Sequence, residues 1–537
     1  MPATDLIIVG AGFAGLYMLH QARKLGLRAR AFEAGPDVGG TWFWNRYPGA
    51  RCDVESLEYA YSFLPELETE WRWTERFATQ PEILRYVNHV ADKLDLRSGF
   101  QFNTRVADAR WNEDTGQWSV RAGDETVSAR YLVLATGCLS SATAPDFPGQ
   151  ADFNGTILHT GQWPQTPPDL AGKRVGVIGT GSSGVQVIPE LAKQAGHLTV
   201  FQRTPHFCVP ARNKPLTEEQ IAHWQANFPE LRRRAKQETR TGWLADMPKV
   251  PALSVDEDTR RKEYDWRWEK GGGNFLYAFT DIGSDEAANA TAADYVRARI
   301  REAVSDPETA EKLIPHGYPI GAKRITVGTD FYETFNRANV TLVDVAADPI
   351  TGFNAAGVVT EAAEYPLDVI VLATGFDALT GSILRVGVNG PAGDLADVWA
   401  DGPASMLGIM ISGFPNLFTI TGPGSPSVLS NVLGSIEQHV EWISDLLAYM
   451  QAGGLTRVEA DADAQAEWVA HCAEVAGKTL MGRANSWYMG ANVPGKPRVF
   501  LPYIGGVDTY RRHCNRIAEA GYTGFTFDAA APAAKIA

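Results

Sequence analysis

Leu6-Ile-Ile-Val-Gly10-Ala-Gly12-Phe-Ala-Gly15 recurs in outline far downstream as Arg174-Val-Gly-Val-Ile178-Gly179-Thr-Gly181-Ser-Ser-Gly184. Each copy runs from a short apolar stretch through G-x-G-x-x-G into apolar residues at helical spacing. Leu6 to Val9 reads as a strand buried on both faces. Leu16, Leu19, Ala22 and Leu25 mark a helix that Gly26 ends, and Arg28 to Glu33 reads as the next strand. In the second copy Arg174 to Ile178 is the strand, Val185, Ile188 and Ala192 mark the helix face, and His197 to Arg203 is the following strand. Glycines at this strand-to-helix turn let a pyrophosphate approach the helix N-terminus. Without a ligand they would serve only a tight turn. The repeat predicts an α/β chain with two Rossmann-like dinucleotide-binding modules.

The two units close on opposite charges. Glu33 lies 23 residues after Gly10, near the roughly 20 expected of a ribose-binding acid. The matching stretch of the second unit is Gln202-Arg203-Thr204 and holds no acid. A carboxylate accepts hydrogen bonds from a ribose diol, whereas a guanidinium holds a 2′-phosphate. FAD is therefore expected in the first module and NADP in the second, against the alternative of a solvated arginine at a strand end. Hydride would pass from NADPH to the flavin. A disulfide reductase would carry a cysteine pair after the first fingerprint. Only Cys52 stands there, unpaired, which leaves oxygen as the common acceptor.

Composition narrows the class. A chain of 537 residues, 21% charged and 45% hydrophobic, suits two or three globular domains. A net charge of -14 argues against nucleic acid or anionic membrane as a partner. The five cysteines (52, 138, 208, 472 and 514) form no C-x-x-C pair, so no metal site is expected, and their odd number fits a reducing cytoplasm. The start leaves no room for a signal peptide before Leu6, and no apolar run reaches about 18 residues. A cytoplasmic location is expected.

Two later strands, Tyr131 to Gly137 and Val369 to Gly375, both end in Leu-Ala-Thr-Gly, and each is expected to complete one module. Between them the texture turns polar, with capping boxes predicted at Ser254-x-x-Glu257 and Ser305-x-x-Glu308, the latter with Pro307 at the first helical position. The expected division is 1–140 with 380–537 for FAD, 145–215 with 326–379 for NADP, and a helical insertion over 216–325. The Ala-rich tail from Ala529 is expected to fray.

The stretch ahead of the second fingerprint is Phe153-Asn-Gly155-Thr-Ile-Leu-His159-Thr-Gly-Gln-Trp163-Pro164. On its residues alone it is a linker between modules. As F-x-G-x-x-x-H-x-x-x-W-P it resembles the signature of type I Baeyer–Villiger monooxygenases. Segments 39–53, 317–324, 373–377, 422–427 and 487–494 are similar to the same family, nearest its phenylacetone and steroid monooxygenase branch. That resemblance implies an enzyme in which NADPH reduces FAD and O2 forms a flavin C4a-peroxide. One oxygen is then inserted beside a ketone carbonyl, giving an ester or lactone.

It also implies roles residue by residue. Arg324 would be the catalytic cation, oriented by Asp53. FAD would be held by Gly10, Gly12, Gly15, Glu33, Thr41, Trp42, Asp53, Tyr59 and Val106. NADP would be held by Gly179, Thr180, Gly181, Ser182, Ser183, Gly184, Arg203, Thr204, Lys323, Arg324 and Trp487, with Trp487 on a mobile lid. In the linker motif of Phe153, Gly155, His159 and Trp163, the His and Trp are expected to serve a hinge. The substrate pocket would draw on Val54, Cys138, Leu139, Thr421, Val428, Leu429 and Leu501, a mostly apolar set suited to a hydrophobic ketone. Two other readings stay open here: a flavin monooxygenase oxidising nitrogen or sulfur, and a flavin-binding protein without turnover.

Overall fold

Residues 4–529 of the chain are described by a computed structural model. Thr4–Val9 lies at the centre of a nine-stranded sheet, parallel to Ala29–Phe32 on one side and to Glu125–Leu134 on the other. Leu6, Ile7 and Ile8 are fully buried, as expected of a strand covered on both faces. Helix Phe13–Lys24 lays Leu16, Met18, Leu19 and Ala22 on this sheet, and Gly26 turns the chain with φ +69°. The second strand is shorter than Arg28 to Glu33. Arg28 instead pairs with Asp5 (2.7 Å), and the Glu33 side chain turns back to the glycine loop.

Later segments return to this sheet. Val388–Gly390 and Gly393–Asp394 extend its antiparallel edge beside Val106–Asn112, and Leu417–Thr419 runs parallel to Leu132–Leu134. The second sheet is wholly parallel, in the order Val340–Asp344, His197–Gln202, Arg174–Ile178, Val369–Leu372 and Thr156–His159. The linker motif is thus partly an edge strand rather than a loop. The Ala-rich tail lies outside the described residues except for Ala529, which ends the strand Phe525–Ala529.

Four helices make up most of the stretch inserted within the second module: Glu218–Glu238, Glu257–Lys270, Glu286–Ala303 and Pro307–Leu313. The two expected capping boxes are displaced. Asp256 and Asp306 cap these helices by accepting from Thr259 N (2.8 Å) and Thr309 N (2.9 Å). A carboxylate one or two residues nearer the helix outcompetes a serine hydroxyl at the positive end of the dipole. A true capping box joins Thr217 and Gln220 at the first helix.

The last three helices bury Tyr264, Ala292, Val296, Ile300 and Leu313 in the same core as the second sheet. The first helix packs the other way. Its Arg232 meets Glu68 of the first module at 2.6 Å, both buried, and its Lys236 meets Glu437 at 2.8 Å. Breaking one partner of such a buried pair typically costs about 3–5 kcal/mol.

Beside this contact the buried Glu58 carboxyl accepts from Leu244 N (2.7 Å), and burial pushes its pKa from 4.5 up to about 8. The folded state therefore holds a proton that the unfolded chain has released between those values. Stability from this group is complete below pH 4.5 and declines up to pH 8, by at most about 1.4 kcal/mol per pH unit. Glu58→Gln should flatten the fall of the thermal midpoint between pH 5 and 8. An unchanged slope would assign that fall to other groups.

Candidate active site

A cavity of about 940 Å³ opens where the carboxyl ends of both sheets meet, the usual ligand crevice of open α/β sheets. Both glycine turns line it. Gly10 has φ +109°, and a Cβ there would lie 2.5 Å from the carbonyl oxygen of Ala135. Gly179 has φ +110° and stands in the same relation to Ala373 O at 2.6 Å. The repeated Leu-Ala-Thr-Gly ending has its reason here: each alanine carbonyl packs against the first glycine of its fingerprint. Gly15 and Gly184 do not line the cavity. A Cβ on them would strike Gly10 O at 1.8 Å and Gly179 O at 2.3 Å, so their task is close helix–strand packing. A Cβ on Gly181 would meet nothing within 4 Å, leaving an open cradle at the N-terminus of helix Ser182–Gln194.

Of the residues expected around FAD, all but Gly15 line the cavity: Gly10, Gly12, Glu33, Thr41, Trp42, Asp53, Tyr59 and Val106. Glu33 is buried and accepts from Ala11 N (2.8 Å) and Gly35 N (2.7 Å), so it braces the glycine turn. Each carboxylate oxygen keeps a lone pair for a ribose hydroxyl. Trp42 donates to the Tyr59 hydroxyl at 3.1 Å.

On the other side the lining includes Gly179, Thr180, Gly181, Ser182, Ser183, Arg203, Thr204, Lys323, Arg324 and Trp487. Arg203 and Lys323 are neighbouring cations. Burial, and then the Arg203 charge, hold the Lys323 amine below its ordinary pKa. Two adjacent cations at the rim of a cradle suit a bound phosphate. His206 joins them, its imidazole lowered to about 4 by burial and by Lys323.

Arg324 sits between these halves. Its Nε and Nη2 donate to Asp53 Oδ2 at 3.1 and 2.7 Å, and its Nη1 donates to the Val428 carbonyl at 2.8 Å. The Asp53 charge outweighs burial and raises the guanidinium pKa, so Arg324 stays cationic. Tyr488, buried beside it, adds to the same effect.

Val54, Cys138, Leu139, Thr421 and Val428 also line the cavity. Burial raises the Cys138 thiol, which stays neutral. Leu429 and Leu501 lie outside the lining. Leu501 is buried as a staple: its N–H donates to Tyr488 O and its carbonyl accepts from Gly424 N, both at 2.8 Å. Leu429 closes a turn onto Pro426 O (2.9 Å).

None of Phe153, Gly155, His159 or Trp163 lines the cavity, although Gly161 and Gln162 do. Phe153 and Trp163 are core residues, and Gly155 allows the chain to pass Asp368 O, which its Cβ would approach to 2.4 Å. His159 Nδ1 accepts from Gly161 N (2.9 Å), so Nε2 carries the proton toward Thr143 O (3.1 Å), the same carbonyl that accepts from Thr374 Oγ1 (2.6 Å). The connecting segments that hold Thr143 and Thr374 meet at this ring.

Sequence reasoning missed the contacts that join the halves. Tyr47 donates to Gln186 Oε1 (2.8 Å), and Gln186 Nε2 donates to Arg51 O (3.1 Å). Trp487 lies in a short turn, Trp487–Met489, in a segment tied to the second of those connecting segments by Asn492 to Phe376 O (2.7 Å) and Lys496 to Asp377 (2.6 Å). Polar pairs this distant in sequence leave no local signal. Among the described residues no group of three His, Cys, Asp or Glu could hold a metal, and no helix could cross a membrane.

The description of pyridine nucleotide-disulphide oxidoreductases matches residues 4–228. A Baeyer-Villiger monooxygenase of Pseudooceanicola batsensis is 44% identical over 98% of this chain and 96% of its own. A phenazine N-monooxygenase of Lysobacter antibioticus is 43% identical over 97% of this chain and 96% of its own. Among solved structures, oxidized steroid monooxygenase bound to NADP superposes with a TM-score of 0.93, at 50% identity over 98% of this chain and 99% of that one. OTEMO in complex with FAD and NADP gives 0.95, at 40% identity over 98% and 100%. Twin glycine turns around one cavity, an arginine fixed between them and this likeness over nearly the whole length place the chain in the Baeyer–Villiger monooxygenase family.

Proposed function

We propose that this protein uses NADPH and O2 to insert one oxygen atom beside the carbonyl of an apolar ketone, giving an ester or lactone and water. The observation that carries the reading is Arg324, cationic and held by Asp53 and the Val428 carbonyl in the cavity that both glycine turns face. FAD, when bound, supplies the redox and oxygen chemistry. The first glycine turn and Glu33 would hold it, and the Gly181 cradle with Arg203, Thr204 and Lys323 would hold NADPH by its pyrophosphate and 2′-phosphate.

The chain's own part is electrostatic and steric. As the carbonyl is attacked, negative charge gathers on its oxygen, and a preorganised guanidinium stabilises that charge without reorganising. Asp53 keeps the guanidinium aimed. Val54, Leu139 and Val428 exclude water and favour apolar substrates, while Trp487, which lines the same cavity, would border NADPH when it is bound. The test is a screen of linear, aromatic, steroid and large-ring ketones for NADPH consumption with ester formation by mass spectrometry. No ester from any class would overturn the proposal.

The likeness to a phenazine N-monooxygenase gives a second reading, oxidation at nitrogen. A nitrogen nucleophile develops no carbonyl oxyanion, so Arg324→Ala should spare N-oxidation while cutting ester formation by about 10²–10³-fold.

Arg203→Ala should raise KM for NADPH about 10- to 100-fold, the equivalent of roughly 1.5–3 kcal/mol for a charge-assisted hydrogen bond. KM for NADH should barely move. Equal changes for both would remove Arg203 from the phosphate site.

A further inference from the structure

Behind the cavity runs a buried hydrogen-bond chain. The Thr421 N–H donates to His439 Nδ1 at 3.1 Å, and His439 Nε2 faces the Tyr510 hydroxyl at 2.8 Å, which itself donates to the Leu407 carbonyl. His439 and Tyr510 are fully buried and belong to helices Val432–Gly453 and Val507–Glu519. Because Nδ1 accepts, Nε2 carries the proton, and the Tyr510 oxygen takes it while passing its own proton to Leu407. Every atom of the chain is satisfied in one tautomer only.

What this chain holds is an awkward residue. Thr421 is β-branched yet has φ +58°, a left-handed conformation that such residues rarely adopt without outside support. It is the second position after Leu417–Thr419 and opens the loop that runs along the cavity to Val428. The Val428 carbonyl is the acceptor for Arg324 Nη1. Ser427, just before it, is also left-handed, with φ +39°. Between these two irregular positions the loop is held from outside at four consecutive residues: Gly422 N donates to Gly408 O (3.1 Å), Ser405 Oγ donates to Pro423 O, Trp468 and Leu501 hold Gly424, and Tyr503 N donates to Ser425 O (2.8 Å), so Thr421 is the point where this anchored loop joins the strand.

We infer that His439 is a positioning residue for the reaction: by fixing Thr421 in its left-handed conformation it sets the loop whose Val428 carbonyl aims the Arg324 guanidinium. The ring remains neutral throughout the working range, since burial lowers it to about 3. It acts as a fixed acceptor rather than as a proton carrier. The inference rests on the role given to Arg324 above.

Two substitutions separate the ring's nitrogens. His439→Asn keeps an acceptor near the Nδ1 position, and His439→Gln keeps a polar group near Nε2 but removes the acceptor from Thr421. In the flavin-loaded enzyme, Gln should lower ketone-dependent kcat about tenfold, the loss expected for one buried hydrogen bond, with KM for NADPH unchanged. It should also raise the share of NADPH lost to hydrogen peroxide. Asn should restore most of the turnover.

Hydrogen exchange of the 419–430 segment, read by mass spectrometry, should speed up in Gln and stay slow in Asn. Equal effects of the two variants on kcat and on exchange, whether both silent or both severe, would overturn the inference, and so would a Gln variant less impaired than Asn. If Arg324→Ala alone retains ester formation, the role of Arg324 fails instead, and the exchange contrast still reports whether His439 holds Thr421.

Discussion

Arg324→Ala is expected to cut ketone-dependent ester formation by about 10²–10³-fold, the loss typical of removing one preorganised donor to a developing oxyanion. Flavin content should be unaltered, because Arg324 contacts Asp53 and Val428 rather than the first glycine turn. NADPH should still be consumed, with hydrogen peroxide as the product. Arg324→Lys should recover little. A lysine ammonium cannot reach Asp53 and the Val428 carbonyl from one planar group, and it loses charge more readily on burial. Ester formation within about tenfold of the parent after Arg324→Ala would remove this arginine from the oxyanion site.

The second large effect lies at Gly10. Gly10→Val should yield protein without flavin, or none that folds. A φ of +109° is disallowed for a β-branched residue, and the new Cβ would sit 2.5 Å from the Ala135 carbonyl. The backbone conformation alone costs about 1–3 kcal/mol, and the clash forces apart the Thr4–Val9 and Glu125–Leu134 strands beside it. Absorbance near the flavin bands, against protein concentration, reads the outcome. A Gly10→Val protein with full flavin occupancy would show that the turn tolerates a side chain. Gly181→Ala is the contrast at the second turn: its Cβ meets only open space, so folding should survive while NADPH binding weakens.

Much of this was legible in the chain. Periodicity and glycine spacing located both Rossmann-like units, since short buried strands and turns with positive φ are written in local sequence. Glu33 and Arg203 could be picked out as cavity-lining candidates because a ribose-binding residue is expected at a nearly fixed distance from the glycines. Arg324 and Asp53, 271 positions apart, came only through likeness to a family, as no local rule joins them. The misplaced caps at Ser254 and Ser305 had a plain cause, a stronger acid standing one or two residues nearer the helix. Leu429 and Leu501 came through the same likeness, but they lie outside the cavity lining and their backbones close a turn and staple a loop instead. The Tyr47–Gln186 contact and the His439 chain were out of reach because each depends on elements that meet only in the folded molecule.

The order in which strands join the two sheets bears on how the chain is made. Val369–Leu372 lies between Arg174–Ile178 and Thr156–His159, and Leu417–Thr419 covers the parallel edge of Leu132–Leu134. A ribosome that has released only the first 350 residues has therefore produced two sheets with open edges, one of them missing an interior strand. Neither can close until more than two-thirds of the protein has emerged. Such edges invite pairing with other chains, so the yield of soluble enzyme should depend on translation speed and chaperone supply, and truncation anywhere before Leu417 should give aggregates.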